Sequence, residues 1–284
     1  MKPASSHPDR HSVAAADFRP FPAHCPAPDP DPARSRARAR GLDRELQPEW
    51  LDILPAEDPR ANRSRRDLRV INALMGNAGH IAAAARRAIG DRPAAEVIDL
   101  GAGDGTLTLR FARRLAPGWR QTEVILVDRR ALVSRATRRG FESLGWNVTA
   151  VEAEAEDWLG LPPGRRSDLM TANLFLHHFD PSALRRLLEL VSRRTDCFIA
   201  CEPRRARRAL WASRCLGWIG CNAVTRHDAA LSVRAGFASG EISGLWPATG
   251  EWDLEESPRG WFSHCFVARR RGSGVRKPPT GVAG

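Results

Sequence analysis

Short apolar runs alternate along this chain with segments whose apolar residues recur every three or four positions. The runs predict strands, and the periodic segments predict amphipathic helices. This alternation is typical of an α/β fold, in which a parallel sheet is covered by helices on both faces. The predicted strands are residues 96–101, 123–128, 147–152, 167–175, 197–202, 241–246 and 262–269. The predicted helices are 106–115, 131–144, a segment beginning at Pro181, 205–219 and 228–235.

The ends of the chain lack this pattern. Residues 1–47 are rich in Pro, Ala and Arg and show no periodicity, so we predict a disordered tail. Apolar residues recur at helical spacing over 67–89, which predicts a helical cover ahead of the first strand. We therefore expect one domain at 48–271 and a disordered basic tail at 272–284.

Composition fits a single domain with a large core, since 42% of the 284 residues are hydrophobic. The first residues lack the apolar stretch of a secretory signal, and no run approaches the roughly 18 apolar residues of a membrane span. We expect a soluble cytoplasmic protein. The six cysteines show neither a CxxC pair nor metal-ligand spacing, so we expect free or buried thiols and no zinc site or disulfide.

The formal net charge of +11 raises the question of a nucleic-acid partner. The arginines, however, are spread over the predicted helices, and the densest run, 269–277, lies in the C-terminal tail. Charge of this kind is informative about solubility and not about fold. We therefore favour a solvated surface over a nucleic-acid interface.

The sequence "DLGAGDG" at 99–105 follows the first predicted strand directly. Ligands of such sheets bind where the first strand passes into its helix, and Gly101 and Gly103 would let the backbone approach a ligand closely. Asp128, at the end of the second strand, can accept hydrogen bonds from both hydroxyls of a ribose. A bound nucleoside follows from this pattern.

Two classes of nucleoside cofactor compete for this loop. A nicotinamide dinucleotide requires G-x-G-x-x-G and a free helix N-terminus for its pyrophosphate, whereas Thr106 stands at the sixth position here. The carboxylates of Asp99 and Asp104 disfavour a pyrophosphate and favour a cationic ligand.

The D-x-G-x-G-x-G pattern, followed by Asp128, "VEAEAEDWL" and "TANLFLHHF" at successive strand ends, resembles the class I S-adenosylmethionine-dependent methyltransferases over about residues 65–270. The resemblance implies a Rossmann-like, doubly wound, mostly parallel seven-stranded sheet with an antiparallel last strand. It implies S-adenosylmethionine as the cofactor. The cofactor contacts it implies are Asp99 at the ammonium group, Gly101, Gly103 and Gly105 in the loop, Asp128 at the ribose, Glu154 and Ala155 at the adenine, and Asn173. Whether Glu154 or Asp157 meets the exocyclic amine is left open.

The residues after the fourth strand bear on the acceptor of the methyl group. Asn173 is followed by Leu174 and Phe175, whereas enzymes that methylate nucleobase amines place Pro-Pro-aromatic there. "NLFLHHF" and "LSVRAGF" resemble ubiquinone-type and other small-molecule methyltransferases, and "ACEPRR" resembles methyltransferases associated with phenolic-lipid polyketide pathways. The resemblance implies methyl transfer to a phenolic or similar hydroxyl. A methyltransferase acting on RNA or protein, and a non-catalytic cofactor-binding module, are the alternatives; the oligomeric state is not predicted.

Five tryptophans are predicted to form an apolar cover for a flat acceptor: Trp211, Trp218, Trp246, Trp252 and Trp261.

Three histidines are candidates for the group that takes the acceptor's proton. His177 and His178 follow the fourth strand, and His227 is predicted to precede a helix capped by Asp228, whose N-terminus would keep the imidazole neutral. No metal is predicted, although Asn173, Glu202 and Asp228 are an alternative set of oxygen ligands for magnesium.

Overall fold

A seven-stranded sheet forms the centre of the computed structural model, which describes residues 42–55, 57–90, 93–162, 164–247 and 249–272. Of the predicted tails, 1–47 and 272–284, residues 1–41 and 273–284 lie outside the described residues. The strands are β1 (Glu96–Leu100), β2 (Glu123–Asp128), β3 (Asn147–Glu152), β4 (Leu169–Asn173), β5 (Cys197–Pro203), β6 (Trp252–Arg259) and β7 (Ser263–Arg270).

The strand order is β3-β2-β1-β4-β5-β7-β6. Strands β1 to β5 pair in parallel, β7 runs antiparallel to β5, and β6 pairs antiparallel with β7. The predicted doubly wound sheet with an antiparallel last strand is therefore confirmed. Because the order reverses beside β1, the carboxyl ends of β1 and β4 border a crevice where ligands bind in folds of this type.

Helices cover both faces of the sheet. They are α1 (Trp50–Ile53), α2 (Pro59–Met75), α3 (Asn77–Ile89), α4 (Thr106–Leu115), α5 (Arg135–Glu142), α6 (Ala155–Gly160), α7 (Pro181–Arg194), α8 (Arg207–Arg214) and α9 (Ala223–Ala235). Helices α3, α4 and α5 pack on one face, where Val97 of β1 points, and α6 and α7 pack on the other, where Ile98 and Leu100 point. Alternate residues of a strand point to opposite faces, so one apolar run supplies both cores.

Helix boundaries differ from the predictions where a glycine or a cap intervenes. The single helix predicted at 67–89 is two helices, because Gly76 adopts a left-handed conformation with φ of 70° between them. Helix α9 begins five residues before the predicted start, because the side chain of Asn222 accepts a hydrogen bond from Thr225 N and caps it. The N-cap predicted at Asp180, ahead of Pro181, is confirmed.

The strand predicted at 241–246 is wrong. These residues form turns. The carboxylate of Glu256, in the edge strand β6, accepts hydrogen bonds from Ile242 N and Ser243 N. A side chain, and not backbone pairing between strands, therefore attaches the segment to the sheet. The sixth strand is β6, which begins eleven residues after the predicted start.

The predicted tryptophan cover is also wrong. Trp246 and Trp252 are buried in the core, where Trp246 packs against Phe198 and Phe266. Trp211, Trp218 and Trp261 are exposed to solvent.

Cysteine pairing differs from the expectation of thiols alone. Cys201 of β5 and Cys265 of β7 lie directly opposite each other in the antiparallel pair and form a disulfide. Cys197, Cys215 and Cys221 are free. Among the residues described, no helix has both the length and the apolar character needed to cross a membrane.

The packed domain begins before residue 48. Arg44 donates hydrogen bonds to the carbonyl oxygens of Ala235, His177 and Phe179, at 2.8, 3.3 and 2.9 Å. Its guanidinium also lies 4.6 Å from the centre of the Phe237 ring. A chain truncated at the predicted boundary, after residue 47, would therefore lack part of the domain.

We expect Arg44→Ala to lower the free energy of unfolding by about 1–3 kcal/mol, because three partly buried carbonyl groups lose their donor. Urea denaturation monitored by circular dichroism measures the change. Arg113→Ala, at an exposed position of α4, is the control and should change stability by less than about 0.5 kcal/mol. Equal stability of the two variants would contradict the role given to Arg44.

Candidate functional site

The loop after β1 is held against the end of β2 by backbone hydrogen bonds. Gly101 N and Ala102 N both donate to Val127 O. Gly103 N donates to Oδ2 of Asp128 at 2.8 Å, while Oδ1 of Asp128 accepts from Arg130 N. Asp128 therefore fixes the position of the loop and leaves its carboxylate at the rim of the adjoining cavity.

Each glycine of the loop has a positive φ, but their surroundings differ. A Cβ atom at Gly101 would lie 2.4 Å from the Phe175 ring, whereas one at Gly103 would meet nothing within 4 Å. Gly105 faces the core instead, since its Cβ would lie 2.8 Å from Leu126. The loop thus needs glycine at Gly101 for packing and leaves open space beside Gly103.

Asp99 is buried below the loop, with 3% of its surface exposed. Its carboxylate accepts hydrogen bonds from the hydroxyls of Thr108 and Thr171. Burial raises the pKa of Asp99 to about 6, although the two hydroxyl donors oppose this rise. A cation that approached Asp99 would favour its ionised form.

A cavity of about 480 Å³ opens above the carboxyl ends of β1, β2 and β4. Nine of the eleven residues predicted for the site line it: Asp99, Gly101, Gly103, Asp128, Glu154, Ala155, Asn173, His177 and His178. The other two, Gly105 and His227, are not among the lining residues. The sequence left open whether Glu154 or Asp157 meets the exocyclic amine of the adenine. Of these two residues, Glu154 lines the cavity. None of the described lining residues is a tryptophan.

The roof of the cavity comes from the N-terminal region, which sequence reasoning missed. Arg65, Arg69 and Asn72 of α2 line it together with Glu49 and Asp52. The spacing of the three α2 residues, i, i+4 and i+7, places them on one helix face, and this was the available signal.

Polar contacts join this roof to the sheet edge. Arg69 forms an ion pair with Asp104 at 2.8 Å. Asn173 Nδ2 donates to Asn72 Oδ1 at 3.1 Å, while its own Oδ1 accepts from Asn77 Nδ2 at 2.7 Å. Helix α2 and the loop after β1 are thereby held as two walls of one cavity.

His177 lies at the end of the cavity between two carboxylates. Its Nδ1 is 2.7 Å from Oε2 of the fully buried Glu202, and its Nε2 is 3.6 Å from Oε1 of Glu49. Burial disfavours the imidazolium, but the hydrogen bond to Glu202 and the nearby carboxylate of Glu49 outweigh it and raise the pKa of His177 to about 9. His177 therefore does not fit the predicted role of a neutral proton acceptor.

His178 differs from its neighbour in exposure and in charge. Its side chain is 34% exposed, and its Nδ1 lies 3.6 Å from Oδ2 of Asp52. Burial lowers the pKa of His178, and the charge of His177 lowers it further. Its imidazole is neutral at pH 7 and able to accept a proton.

The arrangement predicted for His227 is wrong. It lies within α9, not ahead of the helix, and its ring stacks on Trp50 at 3.8 Å. Asp228 is not an N-cap of α9; its carboxylate accepts hydrogen bonds from Trp50 N and Leu51 N.

The alternative magnesium ligands do not form a set with free oxygen atoms, because each is hydrogen-bonded to other groups. Glu202 accepts hydrogen bonds from Phe175 N and Leu176 N as well as from His177. Asp228 and Asn173 are engaged by the partners given above.

Comparison with known proteins matches residues 97–196 to the family model of a methyltransferase domain. The fold is similar to that of an O-methyltransferase family protein from Burkholderia thailandensis, with a TM-score of 0.51 and 20% identity over 77% of this chain and 62% of that chain. It is also similar to the plantazolicin methyltransferase BpumL in complex with SAH, with a TM-score of 0.54 and 10% identity over 76% of this chain and 92% of that one.

At these identities the similarity establishes the fold. The chain spans less than two thirds of the Burkholderia thailandensis protein. No curated protein sequence matches this chain.

We expect Gly101→Ala to destabilise the protein more than Gly103→Ala. Both glycines have a left-handed backbone, which costs about 1–2 kcal/mol with a side chain. Only Gly101→Ala also displaces the Phe175 ring, which adds about 1–3 kcal/mol of overpacking. Urea denaturation of the two variants gives the difference, and equal losses would contradict the close contact with Phe175.

Proposed function

We propose that this chain, whose residues 97–196 match the family model of a methyltransferase domain, uses S-adenosylmethionine to transfer a methyl group to a phenolic or similar hydroxyl of a small molecule. One observation carries the proposal. The cavity that borders the glycine loop continues to His177 and His178, and α2 and residues 49–52 cover it. A partly enclosed cavity of about 480 Å³ suits small ligands better than a segment of RNA or protein.

The groups along the loop fit the cofactor's chemistry. The open space beside Gly103 admits a ligand, and Asp128 can accept hydrogen bonds from ribose hydroxyls while it holds the loop. Asp99 supplies a buried carboxyl group near the position for an ammonium group. Glu154 and Ala155 line the cavity beyond Asp128, where the adenine would lie. The SAH bound to the similarly folded BpumL supports this cofactor.

The cofactor, when bound, supplies a methyl group on a positively charged sulfur; the hydroxyl oxygen bonds to the methyl carbon while the C–S bond breaks and its electron pair stays on sulfur. The chain's residues hold the hydroxyl in line with that methyl group. This positioning contributes most of the rate enhancement. They also receive the hydroxyl's proton, because a phenol with a pKa near 10 is protonated at neutral pH.

We place the acceptor's hydroxyl at the end of the cavity near His178. Phe175, Phe179 and Leu68 line the cavity and offer apolar surface to an aromatic ring. His178 is the proposed proton acceptor, because it is neutral and exposed to the cavity while His177 is buried between carboxylates.

The proposed reaction is tested with cofactor that carries a deuterated methyl group. The purified chain is incubated with this cofactor and a set of phenols, RNA and protein, and mass spectrometry locates the label. Label in a phenol supports the proposal. Label in RNA or protein alone, or none despite cofactor binding, refutes it.

We expect Asp128→Ala to weaken binding of S-adenosylmethionine by roughly 10- to 100-fold, since a charged hydrogen-bond acceptor contributes about 1.5–3 kcal/mol. Isothermal titration calorimetry measures the change. Asp157→Ala is the matched control, because Asp157 is an exposed carboxylate near Glu154 that does not line the cavity. The same loss in both variants would remove Asp128 from the cofactor site.

We expect His178→Ala to lower kcat by about 10²- to 10⁴-fold while cofactor affinity is retained. His227→Ala should keep wild-type turnover, since His227 lies outside the cavity lining. Steady-state kinetics with the phenol that accepts the label gives kcat for both variants. Wild-type turnover of the His178 variant would exclude this histidine from the reaction.

A further inference from the structure

The hydrogen bonds of Glu202 determine which nitrogen of His177 faces Glu49. The two carboxylate oxygens accept backbone hydrogen bonds from Phe175, Leu176 and His177, at 3.0, 2.9 and 3.3 Å. A carboxylate in this setting accepts from the ring as well, so Nδ1 of His177 donates to it at 2.7 Å. Nε2 is then the nitrogen that carries a proton in the charged ring and that offers a lone pair to a metal cation when this proton is lost.

The Glu49 carboxylate faces this nitrogen. Oε1 of Glu49 lies 3.6 Å from Nε2 of His177, which is beyond hydrogen-bond distance. A positive charge between the two atoms, either the proton of the charged ring or a metal cation that displaces it, is favourable for both. Metal bonds of about 2.1 Å at a tetrahedral angle would place such a nitrogen and oxygen about 3.4 Å apart, close to the separation observed.

His178 supplies a third ligand atom. One side-chain atom from each of Glu49, His177 and His178 lies within 4.8 Å of the other two. The two imidazole rings are 4.2 Å apart between centres, and His178 is partly exposed to the cavity. A cation among the three would therefore keep a coordination position open to the cavity.

We propose that Glu49, His177 and His178 form a binding site for a divalent transition-metal cation of the zinc, cobalt(II) or iron(II) class. Two imidazoles and one carboxylate suit these ions, whereas magnesium prefers oxygen ligands alone. Glu202 is the carboxylate that orients His177 from the second side of its ring, as in carboxylate–histidine–metal triads. The site stands on this geometry and does not rest on the proposed methyl transfer.

The open position gives the cation a place in the chemistry of the cavity. A hydroxyl bound there ionises at a lower pH than in water, because the cation stabilises the oxyanion. With the cation bound, His178 is a ligand and not the proton acceptor, so the cation would orient the acceptor hydroxyl and promote loss of its proton to solvent.

The test uses the full chain after treatment with a chelator and buffer exchange. Equilibrium dialysis measures Zn²⁺ binding, and the visible absorption of Co²⁺ reports nitrogen and oxygen coordination. His178→Ala and Glu49→Gln each remove one proposed ligand. His227→Ala is the matched control, because it removes a histidine paired with a carboxylate, Asp228, at 2.9 Å on α9. Circular dichroism checks that each variant is folded, and Glu49→Gln preserves side-chain shape if the histidine variant unfolds.

We expect one equivalent of Zn²⁺ whose affinity falls at least about tenfold in both ligand variants and is unchanged in His227→Ala. Millimolar Mg²⁺ should not displace it. Equal Zn²⁺ binding by all four proteins, or no equivalent bound at micromolar Zn²⁺, would overturn the inference. Calorimetry with SAH on the same samples tests the proposed function separately, since metal binding without SAH binding would refute that function and leave the metal site intact.

Discussion

The buried carboxylate of Glu202 organises the exit of β4, and much of the site depends on it. It has no exposed surface, and it binds three consecutive backbone N–H groups together with the His177 ring. Just before these groups, Leu174 adopts a positive φ of 51°, a conformation that a branched side chain rarely takes. The contacts of Glu202 maintain this turn, which directs Phe175 against Gly101 and presents His177 to the cavity.

The central part of the fold was predictable from sequence because it is encoded locally. Apolar runs mark β1 to β5, and the glycine spacing marks the loop between β1 and α4. The segment 241–246 was not predictable in this way. Its apolar residues Ile242 and Trp246 are buried in the core, but they do not pair in a sheet. Their turns depend on Glu256, a partner from a later strand.

The site was predictable to the extent that its residues sit at strand ends. Asp99, Asp128, Asn173 and His178 reach the cavity because parallel strands end at one edge of the sheet. Glu49 and Asp52 reach it through the packing of a distant segment, which no local pattern encodes. His227 was misplaced because the true cap, Asn222, lies five residues upstream and shifts the whole helix.

The segment that carries Glu49 is attached to the domain by hydrogen bonds more than by buried apolar side chains. Helix α1 buries none of its residues, and its first amides are bound by the Asp228 carboxylate, while Arg44 is bound to backbone carbonyl groups. Water can replace partners of this kind at little cost, whereas apolar packing has no such substitute. Amide hydrogens at 50–54 therefore exchange with solvent by local opening at a lower free energy than those of the sheet. The part of the roof that carries Glu49 and Asp52 is therefore expected to open locally while the sheet stays folded.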